Sequence, residues 1–372
     1  MIESMIKNNI LISGGGSGGH IFPALAIADK IKEKNQNLKI IFVGAKGKME
    51  MKKVPSYGYK IIPILISGFQ RNNFFKNLFL PIKLIVSLIS SLFIIIKYKP
   101  VLVIGTGGYA SGPLLFVSSI LNIPSIIQEQ NSYPGITNKI LSKFVDKICV
   151  AYENMDKFFP KSKIVFTGNP IRSLVFKSHK QVEANSYFKL PKSNFTVLSI
   201  GGSLGAFSIN NAIKQNISFF SEKKINLIWQ TGKTFYDEAK LAVAKEKNIA
   251  LFEFIKDMDY AYSAADIIIS RAGAIAISEL TVVGKPVILI PSPNVAENHQ
   301  YKNAQSLVNN NAALLVNDDD TNLKIVNEIN KLILNKKLRK NLSFNIKKLE
   351  KNQATETIFD IAKELLRDVQ KL

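Results

Sequence analysis

The chain has 372 residues, 47% of them hydrophobic and 21% charged. That composition excludes an intrinsically disordered chain, and the length exceeds one ordinary core, so two domains are expected. The 49 Lys and Arg against 28 acids give a net charge of +21 and an attraction to anionic partners. Lys, Asn and Ile are abundant together, however, a bias that spreads lysine over solvated faces, so charge alone selects no partner.

Apolar β-branched runs alternate with helical patterns along most of the chain. "NILISG" reads as a strand, "FPALAIADKIKEK" as a helix and "LKIIFVG" as a strand; "PVLVIGTGG", "PSIIQEQN", "DKICVA" and "KIVFTGNP" follow as strands. A second series comprises "FTVLSIGGS", "NLIWQTGK", "ADIIISRAG", "KPVILIPSP" and "AALLV". Strands interleaved with helices predict parallel sheets covered on both faces, and two series predict two doubly wound α/β domains. The polar stretch holding Pro170 and Pro191 separates them. The expected division is 1–168 and 169–349, with a terminal helix over about 350–372 packing back on the first domain. That helix aligns Ile358, Ile361, Ala362, Leu365 and Val369 on one face.

The single cysteine, Cys149, sits in an apolar run; no disulfide can form within the chain, which fits a reducing cytosol. The N-terminal apolar run has no secretory pattern. The segment from Ser67 to Pro100 is dense in aliphatic and aromatic residues, and its uncharged part, Leu84 to Ile96, is 13 residues, too short to span a bilayer. It reads as a buried helix with solvated basic ends, or as a surface that dips into a membrane through Phe74, Phe75, Leu78 and Phe79, with Lys76 and Lys83 meeting anionic head groups.

Four glycine- or alanine-rich turns each follow a strand and precede a helix: "GGGSGGH" at Gly14–His20, "GTGGYASGP" at Gly105–Pro113, "GGSLGA" at Gly201–Ala206 and "RAGAIAISE" at Arg271–Glu279. Glycine lets the backbone approach a ligand, and the helix start offers free N–H groups and a positive dipole end. One such turn is weak evidence, but two per domain predict a cleft with room for more than one pyrophosphate. The first turn fits the dinucleotide pattern, which requires an acid at the end of the second strand to hold ribose hydroxyls. That strand ends in Gly44-Ala45-Lys46, and Glu50 lies further on, so no nicotinamide site is expected. In the second domain, Glu279 lies within about two turns of its helix start and can accept both hydroxyls of a ribose, which suits a nucleoside-diphosphate sugar.

These motifs, with "QEQNSYPGITNK", "FTGNPIR", "FIKDM" and "ENHQYKNA", run in order over about residues 10 to 305 and resemble the MurG family. Its members are UDP-N-acetylglucosamine:N-acetylmuramyl-(pentapeptide) pyrophosphoryl-undecaprenol N-acetylglucosaminyltransferases. The resemblance implies a GT-B fold, two Rossmann-like domains facing an interdomain cleft. It implies transfer of N-acetylglucosamine from UDP-N-acetylglucosamine to the 4-hydroxyl of the muramyl sugar of lipid I, giving lipid II and UDP in peptidoglycan synthesis, and so a part in cell shape and division.

On the family's pattern, Ile255 meets uracil through its backbone, and Ala274, Ile275 and Ala276, with Ile277 and Ser278 beside them, meet the diphosphate. Glu279 holds the ribose, while Ser203 and Arg172 contact the nucleotide or its phosphates. His299, Gln300 and Asn303 read the sugar, which Ser17, Gly18, Gly19 and Asn131 approach from the first domain. Gly15, Gly16, Gly107, Gly108 and Tyr109 cradle the acceptor diphosphate. His20 is the candidate base or acceptor-phosphate contact. No cofactor and no metal are implied. The implied location is peripheral, on the cytoplasmic face of the inner membrane at its anionic surface, with contacts to other cell-wall synthesis proteins also allowed. Two positions depart from the pattern: Gln128 stands where the family often has His, and His299-Gln300 where it often has two Gln.

Of the remaining motifs, His179 reads as a solvated residue of the polar linker. "DMD" at Asp257–Asp259 reads as a helix start rather than a metal signature, and "DDD" at Asp318–Asp320 as a surface turn. No His/Cys cluster predicts zinc. Other enzyme readings are a sugar-nucleotide epimerase or a glycosyltransferase acting on diacylglycerol. A nucleic-acid-binding protein lacks support, because no interleaved aromatic and basic motif accompanies the charge.

Overall fold

The computed structural model describes residues 8–68, 78–295 and 298–370. The chain forms two compact units, Met1–Arg172 with Asn352–Leu372, and Ser173–Lys351. The first unit holds a seven-stranded sheet of β1 (Asn9–Ser13), β2 (Lys39–Ala45), β3 (Lys60–Ile64), β4 (Leu102–Gly105), β5 (Ser125–Glu129), β6 (Lys147–Val150) and β7 (Ile164–Phe166), in the order β3-β2-β1-β4-β5-β6-β7. The second holds six strands, β8 (Thr196–Ile200), β9 (Asn226–Gln230), β10 (Ile249–Phe252), β11 (Ile267–Ser270), β12 (Val287–Leu289) and β13 (Leu314–Leu315), in the order β10-β9-β8-β11-β12-β13. Every pairing is parallel. Both sheets are therefore doubly wound, with strand order reversing between β1 and β4 in one and between β8 and β11 in the other.

The central strands are apolar throughout because both of their faces are covered. Ile10 and Ile12 of β1 point into one core, with Ile104, Ile126 and the helix Gly18–Lys34; Leu11 between them points into the other, with Val103, Ile127 and the helix Ser111–Ile120. The terminal helix Ala354–Gln370 contributes Ile358, Ile361 and Ala362 to the first of these cores, with Leu365 at its margin. Glu356 on the same helix pairs with Lys34 at 2.7 Å and Lys30 at 3.4 Å. In the second unit, the fully buried Trp229 anchors the core and donates its indole N–H to Asn210 Oδ1 at 3.0 Å.

Two strands, β3 and β10, go beyond the sequence reading, and both lie at sheet edges. The apolar segment also differs from the buried helix expected of it. It forms a 19-residue helix, Leu80–Tyr98, the one helix among the described residues long and apolar enough to cross a membrane, with 22% of that span buried. Its buried stripe is Ser87, Ser91, Ile94 and Ile95; Ile82, Ile85, Ile89, Phe93 and Ile96 face outward. Leu78 and Phe79 are exposed beside its start, whereas Phe74, Phe75, Lys76 and the side chain of Val369 lie outside the described residues.

Cys149 on β6 is fully buried, and that burial pushes its thiol up to about 12. A thiol so enclosed offers almost no thiolate. Labelling with a thiol-specific reagent at neutral pH is expected to be negligible in the native protein and stoichiometric after denaturation.

Candidate active site

The strand order brings the glycine turns together in pairs. The turns after β1 and β4 flank the reversal point of the first sheet, where Ser13 pairs with Gly105; those after β8 and β11 flank that of the second, where Ile200 pairs with Ser270. Carboxyl ends of strands at a reversal point are where open α/β sheets leave space for a ligand.

In the first unit the two turns touch. A Cβ on Gly108 would lie 2.3 Å from the Gly15 carbonyl oxygen, and one on Gly107 2.9 Å from the His20 ring. His20 is half-buried in the first turn of the helix Gly18–Lys34. Its Nδ1 lies 2.9 Å from the Thr106 carbonyl oxygen and 3.1 Å from Gln130 Oε1. Both partners are acceptors, so Nδ1 carries the proton, and Nε2 is the basic nitrogen of the neutral ring. Thr106 closes the arrangement by donating its hydroxyl to the His20 carbonyl oxygen at 2.7 Å, and Gln130 Nε2 donates to the Thr106 carbonyl oxygen at 2.7 Å. Ser17, Gly18 and Gly19 form the helix start, where the Ser17 side chain caps nothing. Tyr109 packs beside Gly16, and burial, with the Glu50 charge nearby, raises its hydroxyl above the ordinary range.

Glu129 and Asn131 form a second cluster. The buried Glu129 carboxylate accepts the Asn131 amide (3.0 Å) and side chain (3.2 Å), the Gly135 amide (3.2 Å) and Asn138 Nδ2 (2.9 Å). Gln128 donates to Asn169 Oδ1 at 3.0 Å, so this buried residue has a structural partner. Arg172 belongs to the first unit, its guanidinium 5.3 Å from the centre of the Phe22 ring.

The second unit's turns are built as tightly. Gly205 has φ +80°, and a Cβ there would stand 1.8 Å from the Thr231 carbonyl oxygen. Gln230 Nε2 donates to the Gly202 carbonyl oxygen at 2.9 Å, and Gln230 Oε1 accepts the Ile255 amide at 2.8 Å. Gln230 thus holds the turn containing Ser203 beside Ile255, whose amide is engaged by this contact. The helix Ala274–Val283 begins after Gly273 without a side-chain cap; Ala274, Ile275 and Ile277 are buried, and Ser278 turns its hydroxyl back to the Ala274 carbonyl oxygen. Glu279, one turn on and buried, accepts the Tyr262 hydroxyl at 2.9 Å.

The helix His299–Asn309 supplies the remaining three residues. Gln300 Oε1 accepts the Ser292 amide at 2.9 Å, His299 is half-buried, and Asn303 is fully buried with Nδ2 3.4 Å from the Ala272 carbonyl oxygen. In this position Asn303 braces the turn after β11 rather than facing solvent.

Two residues read as surface, Asp318 and His179, have packed partners, while Asp319 stays exposed and Asp320 pairs with Lys324 at 2.7 Å at the surface. Asp318 pairs with Arg271 and accepts the Ser208 hydroxyl at 2.5 Å, while Arg271 also reaches the Ile290 carbonyl oxygen at 3.1 Å. His179 is stacked on Tyr260 at 3.7 Å and its Nε2 meets Asp259 at 2.9 Å, so it is a packed residue. Asp257 does precede the helix Met258–Ala264, and accepts the Tyr187 hydroxyl at 2.7 Å. Among the described residues, no group of three or more His, Cys, Asp or Glu is placed to hold a metal. Glu50, Gln130, Arg271 and Asp318 are the supporting residues that motif reading missed; Glu50 reaches Gly16 over 34 residues, Gln130 reaches His20 over 110 and Asp318 reaches Arg271 over 47, and no local pattern signals these contacts.

The model of the glycosyltransferase family 28 N-terminal domain matches residues 10–150, and that of its C-terminal domain residues 196–362. A UDP-N-acetylglucosamine--N-acetylmuramyl-(pentapeptide) pyrophosphoryl-undecaprenol N-acetylglucosamine transferase of Flavobacterium psychrophilum is 51% identical over 359 residues, 96% of this chain and 97% of that one. The protein of the same name from Parabacteroides distasonis is 45% identical over 370 residues, 99% and 100% of the two chains. The chain belongs to this transferase family. The crystal structure of Acinetobacter baumannii MurG matches with a TM-score of 0.74 at 26% identity, covering 96% of this chain and 99% of that one. A UDP-GlcNAc 2-epimerase from Neisseria meningitidis, bound to UDP-GlcNAc, matches at 0.65 with 15% identity over 96% and 100% of the two chains, which shows the fold alone. The two parallel-sheet units are thus the Rossmann-like domains of a GT-B glycosyltransferase, as the motifs implied.

Gly205 and Gly273 separate tight packing from open space within one family motif set. Gly205→Ala combines a left-handed backbone with a carbonyl clash and is expected to destabilise the second unit by more than about 1 kcal/mol. Gly273→Ala meets nothing within 4 Å and is expected to leave stability unchanged or slightly raised. Thermal unfolding of the two variants checks the contrast.

Proposed function

We propose that this protein transfers N-acetylglucosamine from UDP-N-acetylglucosamine to the 4-hydroxyl of the muramyl sugar of lipid I, giving lipid II and UDP. The observation that carries this reading is the closure of two glycine turns on one histidine whose Nδ1 is anchored. Near-full-length likeness to transferases named for that reaction supports the choice of substrates. In this reading residues 1–168 and the terminal helix handle the acceptor, and residues 169–349 handle the donor.

The reaction needs a base for the hydroxyl, stabilisation of the departing diphosphate, and sugar positioning. His20 takes the hydroxyl proton on Nε2 while Thr106 and Gln130 hold Nδ1–H. As the bond to the anomeric carbon breaks, negative charge gathers on UDP. The uncapped helix start at Ala274–Ile277, with Ser203, Ser278 and Arg172, receives it. Glu279, oriented by Tyr262, holds the ribose, and the Ile255 carbonyl faces the uracil. Asn131, His299 and Gln300 contact the sugar, with Asn303 behind them. Gly15, Gly16, Gly107, Gly108 and Tyr109 shape the acceptor diphosphate site; Ser17, Gly18 and Gly19 approach the donor sugar and, as part of the same loop, offer amides to that diphosphate.

The helix Leu80–Tyr98 supports a peripheral membrane location. Leu88, Ile94 and Ile95 pack into the first unit's core, so the helix is held along that unit's surface instead of crossing a bilayer. The outward row of Ile82, Ile85, Ile89, Phe93 and Ile96, with Lys83, Lys97 and Lys99 along the helix, suits an anionic membrane interface on the cytoplasmic side. Ile136, Ile140 and Phe144, on and after the helix Ile136–Leu141, add exposed apolar area, with Lys139 and Lys143 among them.

Transfer of labelled N-acetylglucosamine onto a lipid-linked muramyl-pentapeptide, run with chelator, tests the reaction; release of UDP without transfer would redirect the assignment toward an epimerase. In that assay His20→Ala is expected to lower kcat by roughly 10²–10⁴-fold. Glu279→Ala is expected to raise the donor KM by roughly 10–100-fold, the loss of a charge-assisted hydrogen bond. Near-normal turnover in the first variant or an unchanged donor KM in the second would remove that residue's role.

For the membrane, Ile85→Asp combined with Ile89→Asp is expected to abolish co-sedimentation with anionic vesicles. Transfer to a water-soluble short-chain acceptor should persist in that variant. Undiminished vesicle binding would exclude this face.

A further inference from the structure

Glu50 opens the short helix Glu50–Ser56 and is fully buried beneath the first glycine turn. Its two carboxylate oxygens serve two different backbone segments. Oε2 accepts the Gly16 amide at 3.0 Å, and Oε1 accepts the amide of Ala45, the last residue of β2, at 3.0 Å. The surrounding glycines are shaped to this side chain: a Cβ on Gly15 would stand 2.2 Å from Oε1, and one on Gly44 2.7 Å from Cγ. Part of the glycine content of the turn is therefore room for a carboxylate coming from below.

We propose that Glu50 is a positioning residue for the acceptor-diphosphate turn, an inference that rests on the reading of that turn given above. By drawing the Gly16 amide inward, it fixes which amides of the turn remain for an anion, namely those that follow from Ser17 into the helix start. It also ties the turn to the end of β2, so that Tyr109, packed beside Gly16, and His20, four residues on, keep their places. Two N–H groups converge on one side chain from different segments, and only an acceptor at both ends satisfies them. A carboxylate does so; a carboxamide turns an N–H group toward one of the two donors.

The test is Glu50→Gln, compared with Gly19→Ala, whose added methyl meets only the Ser17 hydroxyl at 3.6 Å and so marks the turn without a steric clash. Steady-state KM is measured for a lipid-linked muramyl-pentapeptide acceptor and for UDP-N-acetylglucosamine. Amide hydrogen exchange is followed in peptides covering residues 13–19 and the core strand β4. For Glu50→Gln the acceptor KM is expected to rise roughly tenfold or more, with the donor KM unchanged, exchange faster at residues 13–19 and β4 still protected. If Gly19→Ala shifts the acceptor KM and Glu50→Gln does not, the role of Glu50 is overturned while the acceptor reading stands. Should neither variant move the acceptor KM, that reading falls and this inference with it. Loss of protection in β4 together with both KM values would reduce Glu50 to a general stability residue and overturn the proposal.

Discussion

A parallel sheet wound outward in both directions from a central pair of strands sends its next connections to opposite sides, and the backbone parts above that pair. In this chain the pairs are β1 with β4 and β8 with β11. The four turns leaving them end in helix starts, so each opening is lined by N–H groups with no partner inside their helix. The phosphate roles proposed for both units rest on that one topological constraint. His20 lies in the first turn of its helix and Glu279 in the second turn of its own, so each is carried close to the opening of its own unit.

Amide-rich turns are also unstable arrangements, since donors crowd together with few local acceptors. The structure answers with buried acceptors reaching in from elsewhere. Glu50 takes the Gly16 and Ala45 amides and Glu129 gathers the Asn131 and Gly135 amides, while Gln230 accepts the Ile255 amide and donates to the Gly202 carbonyl oxygen. Arg271, held by Asp318 and Ser208, donates to the Ile290 carbonyl and so joins the turn after β11 to the end of the next strand. Each contact selects which backbone groups face inward and which are left outward. The shape of each turn is thus partly decided by side chains outside it.

The same distinction explains what the sequence made legible. Central strands announced themselves because burial on both faces demands uninterrupted β-branched runs. The two strands that escaped notice, β3 and β10, are edges; β3 carries Pro63, a residue an edge tolerates and a centre does not. Glycine turns and Glu279 were visible because their spacing is local. Glu50 was met only as an acid too far along to hold a ribose, since the turn it supports is reached through Gly16, 34 residues back. Asp318 and His179 read as surface because Arg271 and Asp259 are 47 and 80 residues away. Long-range partnerships leave no period or spacing in the sequence.

The helix Leu80–Tyr98 carries the opposite lesson, because its pattern was strong and pointed inward. Its larger hydrophobes face out, and its buried stripe begins with Ser87 and Ser91. Ser87 returns its hydroxyl to the Leu84 carbonyl oxygen, whereas Ser91 Oγ is buried without a hydrogen-bond partner, an arrangement that costs about 1–3 kcal/mol. Small side chains there let the helix lie close against its neighbour Ser111–Ile120, while Ile94 and Ile95 secure its far end in the core. A helix selected for water would reverse these faces and keep serine outside. Apolar bulk on the unpacked face instead fits the membrane interface proposed for it. An enzyme whose acceptor is anchored in lipid has a two-sided demand: a polar turn for the diphosphate, and a nearby apolar surface for the phase that holds it.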